Sequence, residues 1–138
     1  MKGSGCRRSA ANLRLRDMPE ADRARISMMP VSFTNQLYGD EDAKRAARRD
    51  ARFVNSAMKV TALGAAISDA TEKGETVSGV GGQYDFVAQA HALKTARSVI
   101  VLNATRTRKG KAGSNIVWDH PHETIPRHLR DVVVTEYG

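Results

Sequence analysis

Residues 77–86, VSGVGGQYDF, hold glycine at three of four consecutive positions, Gly79, Gly81 and Gly82, and run straight into Gln83, Tyr84, Asp85 and Phe86. Glycine loses more backbone entropy on folding than any other residue, so such a cluster marks positive φ or a close approach to the backbone. TEKGETVS before it is turn chemistry, and YDFVAQAHAL after it has the composition of a helix. A loop-to-helix junction of this kind can gather backbone N–H groups around an anion or a developing oxyanion, with the helix dipole adding to the attraction; it can equally be a plain turn. The spacing matches neither G-x-G-x-x-G nor G-x-x-x-x-G-K-S/T, so no nucleotide-binding fold follows from it.

Around the loop, short apolar runs alternate with polar connections. Ser98–Leu102 is a β-branched run of buried-strand type, VVVTEYG reads as a second, and NIVW as a shorter strand after a turn at RKGKAGS. ISMMPVSFTNQLYG (26–39) reads as an extended piece interrupted by Pro30, which also turns Met29 away from helical geometry. DEDAKRAARRDARF places acids before helix formers and predicts a short helix. RFVNSAMKVTALGAAISDA fits neither period, and DHPHETIPRHLRD is a loop with two prolines. The alternation predicts an α/β layer architecture, and 138 residues suit one domain.

Composition removes several function classes. The net charge is +7, but the basic residues are scattered and aromatics make up only 5%, which is not the interleaved pattern of a nucleic-acid surface. No apolar run is long enough to span a membrane and the start lacks a secretory signal, so the chain reads as cytoplasmic. Cys6 is the only cysteine, which excludes an internal disulfide and a cysteine-based metal cluster. His91, His120, His122 and His128 lack metal-ligand spacing and read as surface residues, so no metal is expected. No G-x-S-x-G elbow occurs. Asp69, Glu72 and Glu75 read as a solvated acidic patch. Asn35 reads as a turn residue or cap, or as an amide able to donate to a carbonyl oxygen.

Taken in order, MMPVSFTNQLYG, RRDARFVNSAMKVTALGAAISD, VSGVGGQYDFV, ARSVIVLNATR, SNIVW and IPRHLRDVVVTEYG resemble the C-terminal domain of the acetyl-CoA hydrolase/transferase family, which includes acetate, butyrate and 4-hydroxybutyrate CoA-transferases. The resemblance covers about residues 26–138, with GxGGQxDF and VTEYG its most specific parts; residues 1–25 add little and are expected to be a poorly ordered leader. It implies an α/β, CoA-transferase-like open sheet with flanking helices, incomplete in this chain, and a strand-turn-strand around Gly64. It also implies a chemistry in which a glutamate attacks an acyl-CoA thioester, passes through an acyl-glutamyl anhydride to a glutamyl-CoA thioester, and yields to water or a second carboxylate. Coenzyme A is then a substrate, and no cofactor is called for.

By motif position the resemblance makes the Gly81 N–H and the Asn35 side-chain amide the oxyanion donors, and Gly79, Gly82 and Gln83 the CoA-binding residues. It places the nucleophilic glutamate upstream of Met1; Glu41, Glu123 and Glu136 do not occupy its motif, and Glu136 reads as a structural residue near the site. The family also continues past Gly138. The expected partners are therefore acyl-CoA, a carboxylate or water, and the missing N-terminal half of the enzyme. Two alternatives remain at this stage, a non-catalytic CoA- or anion-binding module and a basic nucleic-acid-binding protein. An incomplete sheet with exposed edge strands is expected to self-associate, giving homo-oligomers or aggregates.

Overall fold

A computed structural model describes residues 14–108 and 110–138 of the protein, which fall into two units divided after Pro30. Cys6 and the other residues of 1–13 lie outside the described part. In the first unit, Pro19 precedes a single-turn helix α1 (Glu20–Arg23), none of whose residues is buried. Proline suits that boundary because the first helical N–H groups have no intrahelical partner to lose.

The second unit is built around a three-stranded parallel sheet, β1 (Arg52–Ser56), β4 (Arg97–Val101) and β8 (Val132–Val134), with β4 in the centre. On β4, Ser98 and Ile100 are each only 1% exposed while Val99 and Val101 are half-buried, so one face of the sheet is covered far better than the other. The covering element is helix α4 (Gln83–Ala92), which supplies Val87 and Ala90 to the interior and sets Phe86 against Phe53 of β1 at 5.7 Å between ring centroids. A second sheet completes the core, with β2 (Lys59–Thr61) between β3 (Ala66–Ile67) and β7 (Ile116–Val117). Val60, Ala66, Val87, Ile100, Leu102 and Ile125 pack as one cluster.

β2 and β3 run antiparallel and turn through Gly64 at φ +105°, so the strand-turn-strand expectation holds despite the alanine content. Helix α3 (Glu41–Ala47) begins with acids and ends with Lys44 and Arg45, matching its dipole as predicted. Three expectations are corrected. Residues 26–39 are not all extended, because Val31–Asn35 form helix α2 directly after Pro30. RKGKAGS is not simply a turn, since Lys111–Ser114 (β6) pair with Thr105–Arg108 (β5) as an antiparallel hairpin with Gly110 at φ +75°. VVV is a strand but not a buried one: β8 is at the sheet edge, and Val134 remains 39% exposed.

The poorly covered face carries apolar residues in register. Val54, Val99 and Val132 align across the three strands, followed by Ser56, Val101 and Val134. Parallel sheets ordinarily have both faces covered. Among the described residues no helix is long and apolar enough to cross a membrane.

Candidate functional site

The glycine loop enters α4 at the carboxyl end of the parallel sheet, the edge at which α/β proteins usually place their ligands. Gly82 is the N-cap of α4, and the Gln83 Nε2 donates to Ser56 O at 3.3 Å, fixing the helix start to the end of β1. Along the same edge lies a crevice of about 440 Å³ whose walls include Ser56, Val101, Val134 and Glu136. The Ala104 N–H donates to Glu136 Oε2 at 2.6 Å, and that bond, first among several, holds the Glu136 carboxyl below the usual glutamate range.

Asn35, the last residue of α2, reaches this junction. A Cβ built on Gly82 would lie 2.6 Å from Asn35 Nδ2, so the loop needs glycine at 82 to admit the amide at such close range. Asn35 Nδ2 donates to Asp85 Oδ2 at 3.3 Å, leaving its second proton free of that bond. The Thr34 hydroxyl lies 3.1 Å from Asn35 Oδ1 and 2.9 Å from Val31 O, sharing one proton between them. Gly81 adopts φ +61°, open around its Cα, and among the described residues its N–H donates to no backbone carbonyl. Gly79 is likewise open.

Of the five positions named from sequence, Asn35, Gly81 and Gly82 are thus brought together, and Gly79 lies two residues before Gly81 in the same loop. Gln83 turns inward instead, only 7% exposed, with Oε1 buried and without a partner among the described residues. The Asn35 carboxamide stands against Gly82 at the positive end of a ten-residue helix, and Gly81, with its unbonded N–H, immediately precedes Gly82 in the loop, a setting suited to an oxygen that gains negative charge.

The reading of a solvated acidic patch is corrected at Asp69, whereas Glu72 and Glu75 are exposed as expected. Asp69 is 5% exposed; its Oδ1 accepts the Thr124 hydroxyl and the His122 Nε2, the latter at 3.1 Å. The Thr124 hydrogen bond, ahead of the charge and hydrogen bond of His122, draws the Asp69 carboxyl below its ordinary value despite burial. Glu72 pairs with Lys59 Nζ at 2.6 Å and is lowered chiefly by that hydrogen bond, Lys59 being 7% exposed. Only Glu75 of the three is without a cation or a buried partner in this cluster. The Asp69 carbonyl also accepts the Val77 N–H at 2.7 Å, anchoring the chain where it enters the glycine loop. Three of the histidines likewise have partners, His122 on Asp69, His120 with Nδ1 2.9 Å from His122 O, and His91 with Nε2 2.7 Å from Leu129 O. No three His, Cys, Asp or Glu side chains converge in a metal-holding group among the described residues. Sequence reasoning gave Asp85, Arg48 and Gln89 no role. Asp85 and Gln89 stand one turn apart on α4, a spacing that marks a shared face.

A family model described as the acetyl-CoA hydrolase/transferase C-terminal domain matches residues 13–138. The 4-hydroxybutyrate coenzyme A transferase of Clostridium kluyveri is 33% identical over 87 residues, covering 62% of this chain and 20% of that protein. The crystal structure of RipA from Yersinia pestis superimposes with a TM-score of 0.55 at 34% identity, covering 63% of this chain and 19% of RipA. A point mutant of RipA gives a TM-score of 0.56 at the same identity and coverage. The chain therefore spans about a fifth of the length of the relatives it matches.

Proposed function

The chain belongs to the acetyl-CoA hydrolase/transferase C-terminal domain family, and from that premise we propose that it forms the oxyanion-binding side of a site that cleaves or exchanges acyl-CoA thioesters. The observation that carries this reading is the packing of the Asn35 amide against Gly82, beside the Gly81 N–H and at the N-terminus of α4.

In this reading a glutamate carboxylate from outside these 138 residues attacks the thioester carbonyl. The carbonyl electrons move onto oxygen, where Gly81 N–H and the second Asn35 Nδ2 proton bind the negative charge. Collapse of the tetrahedral species expels CoA thiolate and leaves an acyl-glutamyl anhydride. The thiolate returns to the glutamyl carbonyl, releasing the acyl group as a carboxylate and forming glutamyl-CoA. Water then gives hydrolysis, while a second carboxylate gives transfer. Gly79, open around its Cα, lets the CoA-bearing end come close to the backbone, Gly82 contributes by admitting the Asn35 amide, and Gln83 acts by holding the helix start on Ser56 rather than by touching the ligand with its side chain.

The test joins this chain to the N-terminal part of a relative and follows exchange between acyl-CoA and a carboxylate. Asn35→Ala removes one donor, and Gly81→Val places a β-branched residue at φ +61°, which it does not tolerate, and so redirects the other. Each is expected to lower kcat by about a hundredfold or more. Wild-type rates in both variants would remove the assigned roles.

A further inference from the structure

Helix α2 carries Asn35 yet buries none of its five residues, so no apolar face of its own decides where it sits. The first core residue beyond it is Leu37. What holds α2 instead is a set of polar side chains on its carbonyl end. Arg48 Nη2 donates to Phe33 O at 2.5 Å and Arg48 Nη1 to Gln36 O at 3.2 Å. Lys44, 7% exposed, donates from Nζ to Gln36 O at 3.1 Å and to Tyr38 O at 2.6 Å, and its ammonium stands 5.4 Å from the centroid of the Phe33 ring. Gln89 Nε2 donates to Thr34 O at 3.2 Å, while its Oε1 accepts from Arg48 Nη1.

Gln89 is the informative member. It is 4% exposed and lies on α4, the helix that begins at the glycine loop. One turn earlier on α4, Asp85 accepts from Asn35 Nδ2. The rigid α4 thus grips α2 at two successive residues, Thr34 through Gln89 and Asn35 through Asp85, and Arg48 locks the Gln89 amide with its oxygen toward the guanidinium and its nitrogen toward Thr34 O. The two cations also sit at the negative end of the α2 dipole, where charge is favoured.

We propose that Arg48 and Gln89 are positioning residues that set the Asn35 amide against Gly82, so that the two oxyanion donors keep a fixed separation. The placement of Asn35 is a property of this chain; its catalytic consequence rests on the oxyanion role proposed above.

The experiment has two readouts. In the isotope-labelled 138-residue chain, the wild type is expected to give a nuclear Overhauser contact between the Asn35 side-chain amide and Gly82. Arg48→Met and Gln89→Leu are each expected to lose it while the signals of the central sheet persist, and Arg48→Lys, which keeps the charge but not the fork, to recover it in part. Two packing-compatible variants at different positions keep the test decisive if one fails to fold. Persistence of the contact in either folded variant overturns the proposal. In the joined enzyme, both variants are expected to lower kcat about tenfold with KM for acyl-CoA within about twofold, and Arg48→Met should add nothing to Asn35→Ala, as expected of residues acting through one group. A lost contact with wild-type kcat leaves the positioning intact and removes the oxyanion role of Asn35.

Discussion

At Gly82 the backbone and the site make different demands. Its φ of −85° and ψ of 6° are open to any residue, so alanine there reduces the freedom of the unfolded chain and is worth about 0.4–1 kcal/mol in favour of folding, before contacts are counted. The contact is with Asn35 Nδ2, 2.6 Å from the new methyl, and a short side chain at the end of a helix without buried residues can move aside. Gly82→Ala is therefore expected to keep its melting temperature within a few degrees while losing activity on the scale of Asn35→Ala; Gly113→Ala, in open space on β6, is the control that should retain both. Asp69 is the opposite kind of residue. Because its folded pKa is depressed, its stabilising contribution is fully present above the unfolded value of about 4 and is lost as pH falls through the lower folded value. Asp69→Asn should thus cost about 1–3 kcal/mol near neutrality by loss of charge-assisted hydrogen bonds, with the gap to wild type closing below about pH 4 in a urea-midpoint series. Gly81 and Asn35 could be picked out from sequence because a glycine cluster and a family motif point at them. Asp69 could not, since its partner Thr124 is 55 residues away and three acids around a turn carry no local sign of burial.

At the scale of elements, sequence predicted well where a local rule agreed with the tertiary setting. α4 follows its glycine loop, α3 follows its acids, and the β2–β3 turn falls on Gly64. It failed where the setting was polar and distant. α2 has a β-branched and aromatic composition that suits a strand, and the groups that hold its carbonyls, Arg48 at the C-cap of α3 and Gln89 on α4, lie up to 55 residues later. The β5–β6 hairpin was missed for a different reason: KAGS has little strand propensity, and its pairing across from TRTR is set by the turn rather than by side chains. The strand β4 was legible as apolar, but its alternation between buried Ser98 and Ile100 and half-buried Val99 and Val101 depends on which face α4 covers.

For the whole molecule, the unevenly covered parallel sheet has a measurable effect. Val54 at 56% exposure and Val134 at 39% lie on the two edge strands of the same face. The chain is expected to self-associate with rising concentration, and Val54→Lys combined with Val134→Lys should shift sedimentation toward monomer with a stability change within about 0.5 kcal/mol for each surface substitution. Equal association of the variant and the wild type would assign the contact to another surface. The order β1-β4-β8 also governs the timing of folding. Each strand pairs only with partners far along the chain, Val54 with Val99 and Val99 with Val132, so a growing chain leaving the ribosome holds its first strand idle until α4 and β4 have emerged. Synthesis must then run some thirty residues further before the middle strand gains its second neighbour, and a holdase chaperone would find its longest window on this sheet during that interval.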